Sequence, residues 1–486
     1  MEKLNLIFKN ITFFLIIFLL MVTIFSPGVI SASIEKTSQQ VTNSNFGDEE
    51  QILYLLNGRT ILTLYATENV DNFYVIHSIP PNYEFQAPIY LRIMDNTTAN
   101  ILDYKIEDDR NPPNKIINFT IGPMKKNEKT KIYFEYFTLT KDKIYSDLPK
   151  DVEIPDEKDI PEEIKIWLSP TESVQANKLL FKIRSKPIKI RSDNNLIKYV
   201  ENSIKLVSFK RGDYWPYVEK TIKSFRTKRG DNRTVDHIPK LKNYIINHGI
   251  PYVLYLLFPN RFDNSDLVIY EARRDFILTL AKFGDAYSVF FNHGNCAGQA
   301  NLAAALFRIV GIPAKILITE PSVIGGVYHC ITEYFVPTYG WVLTDQSKAI
   351  NLLETKKCLI LKVCHPNDEN DAGHGLQKQG GTMYLHKIKN QKIISNTGYR
   401  GRRYENENSI EVDLKLGNDI FNITQSVWDY YTQYANRDLG PINNQHIINS
   451  TNAQQNAIIS FQNSDMDGYI FNITLAYNEY LKIEAF

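Results

Sequence analysis

Apolar and polar residues alternate with a period of two along the first part of the chain. The clearest runs lie at residues 61–65, 90–93, 116–121 and 131–136, and turns rich in Pro, Asp and Asn separate them. Short alternating runs between turns are typical of antiparallel strands that bury one face. The pattern predicts a β-sandwich-like domain over residues 51–146.

The periodicity then changes to that of helices. Residues 147–194, which begin with an acidic, Pro-containing stretch, are predicted to be a linker with connecting strands. Helical spacing of apolar residues predicts helices at 195–208 and 271–283, followed by an Ala-rich helix that starts near Cys296. Gly311, with a proline two residues later, is predicted to end this Ala-rich helix.

Strands are predicted again after the Ala-rich helix. Residues 327–336 and 341–344 are rich in apolar and aromatic side chains, and a Tyr-Gly turn joins them. The remaining chain, residues 365–486, is predicted to be a mixed α/β extension. Within it, the composition predicts a polar loop at 367–375 and a helix at 427–435.

Three residues in the central region have the chemistry of a cysteine-type triad. Cys296 offers a thiol at a helix N-terminus, where the helix dipole and free N–H groups favour the thiolate. His329 can lower the pKa of that thiol and can protonate a leaving amine. Asp345 can hold the imidazole in one tautomer. Any one of these residues alone would more often be structural than reactive, so the prediction rests on the ordered set.

The segments around these residues resemble the transglutaminase-like superfamily. Its core pattern is Gly-x-Cys before an Ala-rich helix ending Gly-Ile-Pro-Ala, then His-Ala-Trp-x-Glu-x-Tyr, then Gly-Trp-x-x-x-Asp-Pro. The chain matches this pattern at residues 294–314, at His329 and Glu333, and at Gly340, Trp341 and Asp345. The resemblance implies an α+β, papain-like core, which we assign to residues 195–364, with catalytic Cys296, His329 and Asp345.

The chain departs from the family pattern at four positions. Cys330 and Ile331 replace the usual Ala-Trp, Phe335 replaces Tyr, and Gln346 replaces Pro. All three predicted catalytic positions remain intact. Strand alternation predicts that Cys330 points away from His329 and is a core residue.

The N-terminus predicts export. Residues 1–32 combine early lysines, an apolar run and small residues near Ala32, which is typical of a signal peptide, with an uncleaved signal anchor as the alternative. The chain is therefore expected to be secreted or to lie on the outer face of the membrane. Asn-x-Ser/Thr sequons agree with export, and they occur at Asn96, Asn118, Asn232, Asn422, Asn449 and Asn472.

Composition narrows the possible partners. The hydrophobic fraction is 43% and the aromatic fraction 12%, which is enough for packed cores. The chain has 55 Lys and Arg against 54 Asp and Glu, so no basic field for nucleic acid is implied. Its histidines lack ligand spacing, so no metal site is expected. No cofactor is expected either. The cysteines number four, too few for a disulfide scaffold, although a bridge between Cys358 and Cys364 stays open.

These observations predict an exported enzyme that transfers acyl groups from amide or isopeptide bonds of a protein or peptide, with cell-wall peptide among the candidates. Hydrolysis is favoured, because water is in large excess and the sequence reveals no tunnel for an amine. A protein-glutamine cross-linker and an inactive surface-binding protein are the alternatives.

Overall fold

The computed structural model describes residues 50–95, 101–143, 145–177, 214–229, 285–291, 296–320, 329–355, 358–371, 386–388, 390, 392–399 and 408–483. The predicted signal segment, 1–32, and the predicted helices at 195–208 and 271–283 lie outside these residues. The described part contains both helices and strands, as an α+β protein requires.

The described strands fall into three sheets. One sheet has the order β12-β1-β6-β3, with β13 also paired to β1; the second has the order β11-β2-β5-β4, and the third β10-β7-β8-β9. In chain order the strands are β1 (Glu50–Ala66), β2 (Phe73–Ile79), β3 (Gln86–Asp95), β4 (Ile101–Asp108), β5 (Lys115–Ile121), β6 (Lys129–Lys141), β7 (Ala314–Thr319), β8 (His329–Val336), β9 (Gly340–Thr344), β10 (Ile360–Cys364), β11 (His386–Ile388), β12 (Ile393–Tyr399) and β13 (Asn408–Asp413).

The described helices lie between and after these strands. They are α1 (Glu162–Lys165), α2 (Tyr214–Arg229), α3 (Ala286–Phe291), α4 (Cys296–Ile309), α5 (Pro366–Asp371), α6 (Leu414–Tyr434), α7 (Pro441–Gln462) and α8 (Met466–Leu481), with 3-10 turns at Glu157–Asp159, Ile166–Leu168 and Gln346–Lys348. In the described ranges, no helix is both long enough and apolar enough to span a bilayer.

The first two sheets contain the strands predicted from the alternating pattern. The four predicted runs lie in β1, β3, β5 and β6, so these strand predictions are confirmed. Leu62 and Leu64 of β1 and Ile117 and Phe119 of β5 belong to one buried cluster. Apolar residues from both sheets therefore share a core, which accounts for the period of two.

Strands from the C-terminal region complete these two sheets. Strand β12 pairs with β1 from Thr60 to Ala66, β13 pairs with the beginning of β1, and β11 pairs with β2. All three strands come from residues 365–486, which were predicted as an extension. This part of the chain therefore returns to the N-terminal sheets.

The third sheet is covered on both faces. On one face, Leu302 and Leu306 of α4 are buried in the same cluster as Ile316 of β7 and Tyr334 of β8. On the other face, Ile331 and Leu343 pack with Phe85 and Trp167, which come from the N-terminal half of the chain. Apolar packing on the first of these faces holds α4 in a fixed position against β7 and β8.

The bounds of α4 agree with the sequence pattern. The helix starts at Cys296 and ends at Ile309, and Gly311 follows with a φ of 94°. This left-handed conformation is accessible to glycine without a steric penalty. The predicted helix and its stop are therefore confirmed, and Cys296 occupies the first helical position.

One prediction for the C-terminal half was wrong, and a second gave the correct type of element but too short a helix and too few helices. The polar stretch at 367–375 was predicted to be a loop, but its first part belongs to α5. In this helix Asp368 and Glu369 are buried and form ion pairs with Lys362 and Arg308. The single helix predicted at 427–435 is part of the longer α6, and α7 and α8 follow it. Asp413 caps α6 by accepting hydrogen bonds from two backbone N–H groups, a signal that the pattern analysis missed.

A buried ion pair joins α4 to α5. The guanidinium of Arg308 donates to both carboxylate oxygens of Glu369 at 2.6 and 2.9 Å, and both side chains are 0% exposed. Arg308 also donates to the backbone oxygens of Ser169 and Ala314, and Thr171 donates to Glu369. The charged groups of Arg308 and Glu369 therefore find these hydrogen-bond partners inside the protein. Loss of either side chain would leave the charge of the other buried without its counter-ion.

Glu369→Ala is expected to lower the free energy of unfolding by roughly 3–5 kcal/mol, because Arg308 would stay buried without its counter-ion. Urea denaturation measures the change. The matched control is Glu219→Ala, which removes the exposed partner of Lys223 in α2 and should cost less than about 1 kcal/mol. An equal loss of unfolding free energy in the two variants would contradict the stabilising role assigned to the Arg308–Glu369 ion pair.

Candidate active site

The structure brings together the three residues predicted from the sequence. Cys296 is the first residue of α4, His329 is the first residue of β8, and Asp345 directly follows β9. Strands β8 and β9 are antiparallel, with Thr332 opposite Thr344. The beginning of β8 therefore lies beside the end of β9, which is the register that places His329 next to Asp345.

Asp345 holds His329 by a hydrogen bond. The Nε2 atom of His329 lies 3.0 Å from Oδ2 of Asp345, whose side chain is only 1% exposed. Ser347 Oγ donates to the other carboxylate oxygen at 2.6 Å, and Lys348 Nζ lies 3.4 Å from the first. Burial raises the pKa of Asp345, but the bond with His329 and these neighbours lower it to about 2. The carboxylate is therefore charged at neutral pH.

His329 also forms a hydrogen bond with the Cys296 side chain. Because Nε2 is bonded to Asp345, Nδ1 is the ring nitrogen left to face the thiol. Burial lowers the pKa of His329, but the hydrogen bonds with Asp345 and Cys296, together with their negative charges, raise it to about 9. The imidazole is therefore protonated at neutral pH.

The environment of Cys296 favours the thiolate. A hydrogen bond from the Cys330 side chain lowers the pKa of Cys296 most, burial opposes this, and the bond and charge of His329 lower it further, so that the pKa lies well below its ordinary value. The Cys330 backbone contributes another hydrogen bond. The first turn of α4 adds the positive end of a helix dipole. Both pKa shifts thus favour a thiolate–imidazolium pair of Cys296 and His329 over the neutral thiol and imidazole.

The sequence did not predict that two further residues contact Cys296. Cys330 is buried, as predicted for a core residue, and it also contacts the Cys296 thiol. That hydrogen bond and burial raise the pKa of Cys330 well above its ordinary value, so Cys330 stays a neutral donor. The second neighbour, Gln346, bonds to the backbone oxygens of both cysteines. Both residues stand at departures from the family pattern, which was the signal that could have found them.

Glu333, which also matches the family pattern, is used elsewhere. Its carboxylate accepts a hydrogen bond of 2.5 Å from the Tyr83 hydroxyl and lies 3.7 Å from the Lys315 ammonium. Lys315 in turn sits 3.7 Å from the centroid of the Trp341 ring. Glu333 therefore ties the third sheet to the N-terminal half of the chain, while Asp345 is the carboxylate bonded to His329.

The other cysteines do not form bridges. All four cysteines of the chain lie in the described part, and none of them is in a disulfide, so the bridge left open between Cys358 and Cys364 is not formed. Across the described ranges, no group of three or more His, Cys, Asp and Glu side chains is arranged to hold a metal ion.

Replacement of Cys330 by alanine is expected to raise the pKa of Cys296, because it removes the thiol donor with the largest effect on the thiolate. The rate of Cys296 alkylation by iodoacetamide, followed against pH by mass spectrometry, should shift to higher pH. Cys364→Ala is the control, since Cys364 is a buried thiol in β10. An unchanged profile in Cys330→Ala, or the same shift in both variants, would contradict the assigned role of Cys330.

One comparison, with models of protein families, agrees with the resemblance found in the sequence. Residues 279–346 match the family model described as the transglutaminase-like superfamily. No curated protein matches the chain. One similar solved structure is described as "a Putative Cysteine Protease from Cytophaga hutchinsonii"; it is 10% identical, covers 73% of this chain and 93% of its own, and has a TM-score of 0.41. The predicted resemblance to the transglutaminase-like superfamily is therefore confirmed for the segment that contains Cys296, His329 and Asp345.

Proposed function

We propose that this protein is a cysteine-dependent acyl-transfer enzyme that acts on amide or isopeptide bonds through Cys296, His329 and Asp345. One observation carries the proposal: the His329 ring is bonded at the same time to a buried carboxylate and to a thiol at a helix N-terminus. That arrangement supplies a nucleophile, a proton donor and an orienting charge within one contact network.

In the first step, the Cys296 thiolate attacks the carbonyl carbon of the substrate, and the π electrons of the carbonyl move onto its oxygen. The backbone N–H of Cys296 is the proposed donor to that oxyanion. The protonated Nδ1 of His329 then gives its proton to the leaving nitrogen, the C–N bond breaks, and a thioester remains on Cys296.

In the second step, neutral His329 takes a proton from the incoming nucleophile, which attacks the thioester carbonyl. Collapse of the tetrahedral intermediate breaks the C–S bond and restores the thiolate–imidazolium pair. Asp345 stays ionised throughout and stabilises the imidazolium, since its pKa of about 2 lies far below neutral pH. Water as the nucleophile makes the protein a peptidase or amidase, and an amine makes it a cross-linker.

We favour hydrolysis, because water reaches any open cleft at high concentration and transfer to an amine needs a dedicated site for that amine. The same proposal includes export: residues 1–32 act as a signal peptide or anchor, and the enzyme acts on a protein or peptide at or outside the cell surface. The first two sheets, in this proposal, form a β-sandwich that accompanies the papain-like core.

The competing proposal is an inactive surface-binding protein that keeps the fold alone. The charged state of the site argues against it. Burial disfavours the charged forms of Asp345, His329 and Cys296, and these groups are kept charged by one another and by their neighbours, a network that a binding protein has no need to keep.

Cys296→Ala is expected to abolish turnover of amide substrates, because the nucleophile is lost while a small residue still fits the helix start. Asp345→Asn removes only the orienting charge, so its maximal rate should fall by roughly 10²- to 10⁴-fold, or about 3–5 kcal/mol of barrier. Steady-state kinetics on glutamine- and isopeptide-containing peptides, with and without an added amine, measure both effects.

Asp368→Asn is a suitable control for those kinetics. It makes the same change from carboxylate to amide, but Asp368 lies in α5 and forms ion pairs with Lys362 and Arg110. It should leave the maximal rate unchanged. If Cys296→Ala kept even a tenth of the wild-type activity, the assigned nucleophile would be wrong.

The pH profile follows from the two titrating groups. The active pair requires a thiolate, which is lost as pH falls through the lowered pKa of Cys296, and an imidazolium, which is lost as pH rises through about 9. We therefore expect kcat/KM to fall above about pH 9 and, on the acid side, to fall at a pH well below the ordinary pKa of a thiol. Asp345→Asn should move that alkaline fall to lower pH, because the carboxylate raises the pKa of His329. An alkaline limb at the same pH in both proteins would contradict the role of Asp345.

A further inference from the structure

The Gln346 side chain forms a bridge between α4, which carries Cys296, and β8, which carries His329. Its Nε2 atom donates to the backbone oxygen of Cys296 at 3.3 Å and to the backbone oxygen of Cys330 at 2.9 Å. Its Oε1 atom accepts from Thr332 Oγ1 at 3.2 Å. The side chain is 0% exposed, so water does not compete for these bonds.

The bridge uses both hydrogens of the amide. A primary amide has two N–H donors, and here each points to a different carbonyl. One carbonyl belongs to the first residue of α4, and the other follows His329 in β8. The amide therefore fixes the separation between the helix that carries the thiol and the strand that carries the imidazole and the Cys330 donors.

Gln346 is also the direct neighbour of Asp345. The Asp345 carboxylate accepts from the backbone N–H of Lys348 and so caps the 3-10 turn that begins at Gln346. One dipeptide thus orients the imidazole through its first side chain and holds the nucleophile helix through its second. A proline, which the family pattern has at this position, has no side-chain donor and could not make the bridge.

We infer that Gln346 is a positioning residue of the active site, which keeps the Cys296 thiol at hydrogen-bonding distance from His329 and Cys330. The inference rests on the proposed function, since it concerns the same thiol. Gln346 itself contacts backbone carbonyls, so its effect on the chemistry passes through the position of α4 relative to β8.

Gln346→Met is the informative variant, because methionine has a similar length and volume but neither donates nor accepts these hydrogen bonds. The expected result is a shift of the Cys296 alkylation profile with iodoacetamide to higher pH, by roughly one pH unit, as the hydrogen bonds to the thiolate lengthen. With an amide substrate, kcat should fall more than KM changes, because the reacting groups are displaced while the binding surface is kept.

The chain supplies a matched control in Gln86. This side chain is also 0% exposed, and its Nε2 atom also donates to two backbone carbonyls, those of Pro81 and Ile360, at 2.8 and 3.0 Å. Gln86→Met should lower the melting temperature by an amount similar to Gln346→Met. It should leave the alkylation profile of Cys296 at the wild-type position.

The outcomes are distinguishable without a known substrate. A profile shifted in Gln346→Met but not in Gln86→Met supports the inference. The wild-type profile in Gln346→Met, or an equal shift in both variants, overturns it and leaves Gln346 as a structural residue. If Cys296 of the wild-type protein reacts no faster than the buried thiols, the proposed function fails first, and the inference fails with it.

Discussion

The site depends on one hydrogen bond, between Nε2 of His329 and the buried carboxylate of Asp345. An ionised carboxylate with 1% exposure would be strongly destabilising without partners. Here the partners are two cations, a hydroxyl and a backbone N–H group, and the cation hydrogen-bonded to the carboxylate is the imidazole itself, with the Lys348 ammonium as the second. The bond determines which ring nitrogen faces the thiol and raises the proton affinity of the ring. The charge that this bond keeps on His329 favours the thiolate of Cys296, in addition to the hydrogen bond from Cys330, which lowers the pKa of Cys296 most.

The fold around the site keeps that bond in place. The antiparallel register of β8 and β9 sets His329 beside Asp345, and the apolar face of α4 packs against β7 and β8, with Cys296 bonded to residues at the beginning of β8. At the other end of α4, Arg308 is bonded inside the protein to Glu369. The helix is therefore held at both ends, by Gln346 at its first residue and by an ion pair in its last turn.

The sequence predicted the reactive groups better than their supports. Cys296, His329 and Asp345 belong to residue types with known chemistry, and they stand in ordered blocks around a helix whose end Gly311 marks. Cys330 was assigned to the core because strand alternation describes which face a side chain takes, and it does not describe what a neighbouring helix brings to that face. Gln346 had no local signal beyond its departure from the family pattern, because both of its carbonyl partners are distant in sequence.

The pairing of β11, β12 and β13 with the N-terminal sheets was missed for the same reason. Residues such as Ile61 and Gly398 meet across more than half of the chain, and no short-range pattern encodes that contact. Likewise, the composition at 367–375 favoured a loop, whereas buried partners at Arg308 and Lys362 stabilise a helical turn there. In each case a tertiary contact decided what local propensity left open.

Titration of His329 is the most direct test of a thiolate–imidazolium pair at neutral pH. Proton NMR of the histidine-labelled protein would follow the ring, with His329→Gln giving the assignment among the 9 histidines. We expect His329 to keep its proton until about pH 9 and Cys296→Ser to lower this pKa, because the thiolate charge is then lost. A His329 ring that titrates at the ordinary value of about 6.5 in the wild-type protein, with no change in Cys296→Ser, would contradict the thiolate–imidazolium pair.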